Sequence, residues 1–157
     1  MLKYHSIYIG FREIPDEISL CINITNCPNN CIGCHSPWLQ KDIGTLLTPE
    51  ELKLLVECNK GITCVCFMGG DSDPNEVVKL ANLIRITFPN LFIAWYSGQN
   101  NTDYDDYFDF VKLGHYDPYL GPLNNSNTNQ RLYQICHTHF GTISIDITNR
   151  FWNDNRN

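Results

Sequence analysis

Two short runs, Thr48-Pro49-Glu50-Glu51 and Asp73-Pro74-Asn75-Glu76, constrain the chain more than any other feature. Each offers a side-chain cap, a first-turn proline and an acid placed to close a capping box, so a helix must start at each. The first predicts a helix from about Pro49 to Cys58 with Leu52, Leu55 and Val56 inward. The second predicts a helix whose apolar stripe is Val77, Leu80, Ala81, Ile84 and Phe88. Apolar runs of strand length surround them. Ile18, Leu20, Ile22 and Ile24 alternate along one face, whereas Ile62 to Met68 and Leu91 to Tyr96 are continuous, as in strands buried on both faces. Strands alternating with helices in units of this length call for right-handed crossovers and a parallel sheet. Phe108 to Leu113 and Thr142 to Ile147 read as further strands, and Pro118 to Asn129, rich in Pro, Gly, Asn and Ser, as a long surface loop. The predicted fold is α/β, an open partial (βα) barrel with a mostly parallel sheet, forming one domain over residues 1–157.

The first strand runs straight into Cys27-Pro28-Asn29-Asn30-Cys31-Ile32-Gly33-Cys34. Three thiols crowd into one loop, and Pro28, Asn29, Asn30 and Gly33 are turn formers that bend backbone around a compact object. Structural zinc takes four protein ligands in a closed tetrahedron, whereas a cubane 4Fe-4S cluster held by three cysteines leaves one iron open to a small molecule. The spacing CxxxCxxC favours the cluster. A zinc knuckle completed by His35 or a distant cysteine, and buried thiols without metal, are the alternatives. Cys21, Cys58, Cys64, Cys66 and Cys136 lie scattered in apolar surroundings and read as small buried hydrophobes, with Cys64 and Cys66 on one strand face.

Charge and hydropathy exclude two classes of partner. A formal net charge of −6 opposes nucleic-acid binding, which needs a cationic face. No run approaches the roughly 18 apolar residues of a membrane span, and Met1-Leu2-Lys3-Tyr4-His5 lacks a signal peptide's apolar core. A cytoplasmic address is expected, where thiols stay reduced.

Parallel sheets place ligands at the carboxyl ends of their strands. The strand ending at Met68 is followed by Gly69-Gly70-Asp71, where two residues without side chains admit a ligand to the backbone and an acid stands ready for an ammonium group. The strand ending at Tyr96 is followed by Ser97-Gly98. Together with Phe67-Met68, Trp95-Tyr96, Tyr116-Asp117-Pro118 and Asn129-Gln130-Arg131, the cysteine loop with Gly33 and His35 gives the chain its likeness over most of its length. It resembles the activating enzymes of anaerobic (class III) ribonucleoside-triphosphate reductases, small members of the radical S-adenosylmethionine (SAM) superfamily.

That resemblance implies the partial barrel of the radical SAM type, with Cys27, Cys31 and Cys34 holding the cluster and SAM chelated at its open iron. It implies reductive cleavage of SAM to methionine and a 5′-deoxyadenosyl radical, which takes a hydrogen from a glycine of the partner reductase. A reducing electron donor is required, and no acid–base dyad. Gly33, Cys34, His35, Gly69, Gly70, Asp71 and Ser97 are the implied SAM contacts: His35 near adenine, Asp71 on the ammonium, Ser97 at the ribose. The chain departs from the superfamily pattern at Gly33, where an aromatic residue is common, and at Asp71, where glutamate is usual. The alternatives are another small radical SAM enzyme, activating a different glycyl-radical enzyme or making a modified-purine precursor, and a zinc or electron-transfer module without enzymatic activity. Asp117 and Arg131 read as surface residues, with orienting the partner or forming an ion pair as the alternatives, and His115, His137 and His139 as structural histidines.

Overall fold

The computed structural model describes residues 1–101 and 103–152. Both capping signatures start a helix where their chemistry requires. Thr48 accepts the Glu51 N–H at 3.1 Å at the head of α1 (Pro49–Cys58), and Asp73 accepts the Glu76 N–H at 3.2 Å at the head of α2 (Pro74–Thr87). Leu52 and Val56 of α1 are buried, with Leu55 partly so, as are Val77, Leu80, Ala81 and Ile84 of α2.

The strands are β1 (Lys3–Gly10), β2 (Ser19–Ile24), β3 (Thr45–Leu46), β4 (Cys64–Met68), β5 (Phe92–Tyr96), β6 (Phe110–Leu113), β7 (Arg131–Thr138) and β8 (Gly141–Asp146). All lie in one sheet, in the order β3-β1-β2-β4-β5-β6-β7-β8. Only the centre, β2-β4-β5-β6, is parallel, with three parallel pairings against four antiparallel ones at the flanks.

The predicted partial (βα) barrel with a mostly parallel sheet is therefore wrong; the fold is a mixed, open sheet. Two α-helices make crossovers among the described residues, from β2 to β4 and from β4 to β5. Among its described residues the β5 to β6 connection has only a 3-10 turn, Asp105–Tyr107, where a barrel would place a helix. The chain then turns back on itself: β7 runs antiparallel to β6, and β8 pairs with β7 through a short turn at His139 and Phe140. At the other flank, β1 pairs antiparallel with β2. The end strands β3 and β8 do not pair with each other, so the sheet stays open.

The two faces are covered differently. Both helices pack on one face, over Leu20, Ile22, Ile24, Val65, Phe67, Ile93, Trp95 and Val111. The opposite face carries Cys21, Cys64, Cys66, Ala94, Phe110 and Leu132, and is closed by Ile14 from the β1–β2 connection and by Ile147 and Phe151 after β8. Cys64 and Cys66 thus share a buried face as expected. Cys58 does not follow expectation: it is exposed, and Cys136 is only half-buried. Phe151 docks, and the Trp152 indole donates to Leu123 O at 3.1 Å, so the aromatic pair that stands out in the polar tail 150–157 is held; residues 153–157, whose polar sequence predicts fraying, lie outside the described residues.

Candidate functional site

The cysteine loop leaves the carboxyl end of β2 and is pinned at its base. Asn26 N donates to Lys41 O at 3.1 Å and Cys27 N to Leu39 O at 3.0 Å, so the outgoing and returning stems lie side by side. Within the loop, Cys34 N donates to Cys31 O at 3.2 Å, and Asn26 and Asn30 adopt positive φ, which asparagine tolerates better than most residues. The Ser36 N–H points at Cys34 Sγ at 3.4 Å, and the Asn29 amide at Cys27 Sγ at 3.5 Å. All three thiols are free and half-buried.

Asp71 ties this loop to the sheet. Its Oδ2 accepts from Asn29 Nδ2 at 2.6 Å and from the Gly98 N–H at 2.8 Å, and its Oδ1 accepts from Ser97 Oγ at 2.6 Å. Asn29 turns its own oxygen to Gln99 Nε2 at 2.7 Å. One carboxylate thereby joins the loop after β2, the turn after β4 and the turn after β5, the three neighbouring carboxyl ends of the parallel core. Gly98 permits this approach: a Cβ there would lie 2.3 Å from Asn29 Nδ2. Asp71 precedes a helix and its type suits a cap or a plain turn, but the cap of α2 is Asp73.

The other predicted residues fall around this hub. Gly70 has φ +101° and is packed so closely that a Cβ would meet Val77 Cγ2 at 2.5 Å. Gly69 donates its N–H to Tyr96 O at 2.9 Å and accepts the Trp95 indole N–H at 2.8 Å. Ser97 is buried, its hydroxyl given to Asp71 and accepting the Gln99 N–H at 3.0 Å, an arrangement that positions Asp71. The His35 ring packs against Tyr116 at 4.8 Å between centroids, and Gly33 lies beside Tyr116 and Pro118. Asp117 and Arg131 are not paired: Asp117 accepts the Tyr119 N–H at 2.8 Å, and Arg131 lies 3.6 Å from Asp146. His137 is structural, 3.1 Å from Phe108 O.

Sequence reading missed Lys112. It sits in the apolar β6 beside Tyr96 of β5, is 8% exposed, and hydrogen-bonds Gly114 O. A lone lysine inside Phe110-Val111-Lys112-Leu113 was the available signal. Burial pushes its pKa down to about 8, opposed by the charges of Asp71, Cys31 and Cys27. The same surroundings act on Cys27, whose thiol is pushed up by burial, against hydrogen bonds from Asn29 and with the charges of Asp71 and Cys31 adding to the rise.

Among the described residues no three His, Cys, Asp or Glu side chains gather into a group that could hold a metal ion. A cubane is held differently, each thiolate going to its own iron, and three free thiols on one pinned loop are the donor types such a group would take. Also among the described residues, no helix is long and apolar enough to cross a membrane. Comparison with family models, curated proteins and solved structures gives no match.

Proposed function

We propose that the chain is a radical SAM activase that generates a glycyl radical on an anaerobic ribonucleoside-triphosphate reductase. The observation that carries this reading is the placement of the CxxxCxxC loop at the carboxyl end of the parallel core, fastened there by Asn29 and Asp71. The mixed sheet adds no support of its own, so the reading rests on the loop and on the residues that hold it.

Cys27, Cys31 and Cys34 would hold a 4Fe-4S cluster. The group supplies one-electron reductive cleavage of SAM and, through the radical so released, hydrogen abstraction from a glycine of the reductase. The chain's own residues position and insulate. Asn29 directs its amide at Cys27 Sγ, and hydrogen bonds to cluster sulfurs favour the charged set. Asp71 presents a fixed carboxylate for the SAM ammonium, with Ser97 and Gly98 holding it in place. His35 and Tyr116 form an aromatic wall beside the last cysteine. The partners are the glycyl-radical subunit of the reductase and a reducing electron donor in the cytoplasm, with neither nucleic acid nor membrane involved.

The test is anaerobic reconstitution with iron and sulfide, followed by reduction, SAM and the reductase. The expected result is about four irons per chain and a glycyl radical seen by electron paramagnetic resonance on the reductase, with SAM cleaved faster when the reductase is present. Zinc in place of iron, with no cluster spectrum, overturns the reading. A cluster that cleaves SAM equally fast alone and leaves no radical on the reductase moves the chain to the radical SAM enzymes acting on small molecules.

A further inference from the structure

An open sheet leaves the backbone of its end strands without partners, and the two ends here are unequal. β3 is two residues long, too short to bind a neighbouring strand. β8 is six residues long, exposed at every position, and pairs with β7 without a bulge. Proteins blunt such edges with prolines, lysines, bulges or very short strands. β8 uses none of these: Gly141-Thr142-Ile143-Ser144-Ile145-Asp146 carries a single charge, at its end.

The β7–β8 register decides which groups are left for a partner. Ile147 N donates to Leu132 O at 2.9 Å, and directly opposed residues of an antiparallel pair alternate between bonded and unbonded. Ile145, Ile143 and Gly141 therefore turn their N–H and C=O groups to β7, and Thr142, Ser144 and Asp146 turn theirs outward. Side chains alternate as well. Ile143 and Ile145 share the helix-free face with Leu132 and Ile147, yet remain 54% and 47% exposed.

We infer that β8 is a dimerisation edge, pairing antiparallel with β8 of a second copy about a twofold axis at Ser144. In that register Ser144 opposes its own counterpart and Thr142 opposes Asp146 of the second copy, so every outward N–H meets an outward C=O. Ile143 then faces Ile145 of the second copy on both sides of the axis, in the unbonded pairs where side chains come closest. Other registers do worse. Centring on Ile143 sets Ile145 against Gly141, and centring on Ile145 sets Thr142 against the 3-10 turn at Thr148. Charge agrees with the choice. The two Asp146 carboxylates stand at opposite ends of the pairing, about 13 Å apart along the strands and beyond the screening length of about 8 Å, and each has its own Arg131 at 3.6 Å. Head-to-tail pairing of β8 with β3 would engage only two residues, so the self-complementary contact prevails. An edge of this length is small beside the interfaces of permanent dimers, so association is weak and follows concentration. β2 lies five places from β8 in the sheet, so pairing leaves the cysteine loop open whatever it binds.

The experiment is analytical ultracentrifugation of the full chain from micromolar to millimolar concentration, under reducing conditions that keep its free cysteines from cross-linking. Wild type should show a monomer–dimer equilibrium. Ser144→Pro removes an outward N–H, a place where edge strands accept proline, and should raise the dissociation constant about tenfold because one bond is lost on each side of the axis. Ile143→Lys with Ile145→Lys brings like charges face to face and should leave only monomer. Ile143→Lys with Ile145→Glu brings opposite charges together in this register and should restore the dimer. The isoleucine side chains are exposed, so these two double variants should melt like wild type in dilute solution and carry the test even where the proline disturbs the strand. Wild type that stays monomeric throughout overturns the inference and leaves the edge to a strand of another protein. A dimer that survives Ile143→Lys with Ile145→Lys overturns it by placing the contact elsewhere. Ile143→Lys with Ile145→Glu that remains monomeric overturns the register about Ser144.

Discussion

Replacing Asp71 by asparagine separates the carboxylate's charge from its shape. The wild-type carboxylate accepts three hydrogen bonds, two on Oδ2 from Asn29 and Gly98 and one on Oδ1 from Ser97. Asparagine has one acceptor oxygen. Placed where Oδ2 stood, that oxygen keeps the Asn29 and Gly98 bonds, now between neutral groups, and its amide nitrogen faces Ser97, whose hydroxyl must turn from donor to acceptor. Bonds to charged groups contribute about 1.5–3 kcal/mol and neutral ones about 0.5–1.5 kcal/mol, so each retained bond loses about 1 kcal/mol and Asp71→Asn costs about 2 kcal/mol. Asp71→Ala removes every acceptor and strands the hydroxyl of Ser97, which is buried, together with the Gly98 N–H, for about 3–4 kcal/mol. For a domain of this size, 2 kcal/mol corresponds to a drop of about 4–8 °C in melting temperature. Urea and thermal melts of the unloaded protein measure the order wild type, Asn, Ala, and hydrogen exchange should rise in the loop from Cys27 to Cys34 in both variants. In the loaded protein, titration at constant iron content should show weaker SAM binding for Asp71→Asn. An Asn variant as stable as wild type, or an Ala variant no worse than Asn, would refute the tethering argument, and unchanged SAM affinity would confine Asp71 to tethering.

Cys27→Ala, Cys31→Ala and Cys34→Ala should each lose the four-iron cluster, while Cys58→Ala and Cys136→Ala retain it; iron and sulfide analysis decides, and full content in any of the first three removes that cysteine from the ligand set. Gly70→Ala should destabilise by about 2–3 kcal/mol, because φ +101° suits glycine and the new methyl would strike Val77; a melt matching wild type would show that the turn relaxes freely. Tyr4 hydrogen-bonds Glu51, and its hydroxyl is pushed up to about 12, first by burial and then by the bond to Glu51 and its charge. Unfolded tyrosine titrates near 10, so this stabilisation is whole below about pH 10 and is lost as pH rises towards about 12. Tyr4→Phe should flatten the fall in stability across that window, and parallel pH profiles for the two proteins would count against the assignment.

What could be read from the sequence followed the range of the interactions involved. The helices were legible to the residue at their starts, because a cap is a local contact between Thr48 and Glu51, or Asp73 and Glu76. The cysteine loop was legible for the same reason, its thiols lying within eight residues. Strand direction was not. Buried runs such as Cys64–Met68 and Phe110–Leu113 look alike in sequence, and whether the neighbour arrives parallel or antiparallel depends on what the connection contains. Two capped helices suggested crossovers throughout, but the described residues of the β5 to β6 connection hold no α-helix and β7 returns directly. Strands β1 and β7 escaped detection because they mix Lys3, His5 and Ser6, or Arg131, Gln134 and His137, into surfaces that are only partly buried. The same range limit hid the wiring of the site. Asn29 read as a turn former, which it is locally, yet its amide spans 42 positions to reach Asp71. Lys112 was visible as an oddity within a strand, but its burial beside the Tyr96 ring follows only from the pairing of β5 with β6. The thiols of the candidate site are thus written in one loop, while the residues that fasten that loop, Asp71, Ser97 and Gly98, come from the turns after β4 and β5 and meet it only in the folded sheet.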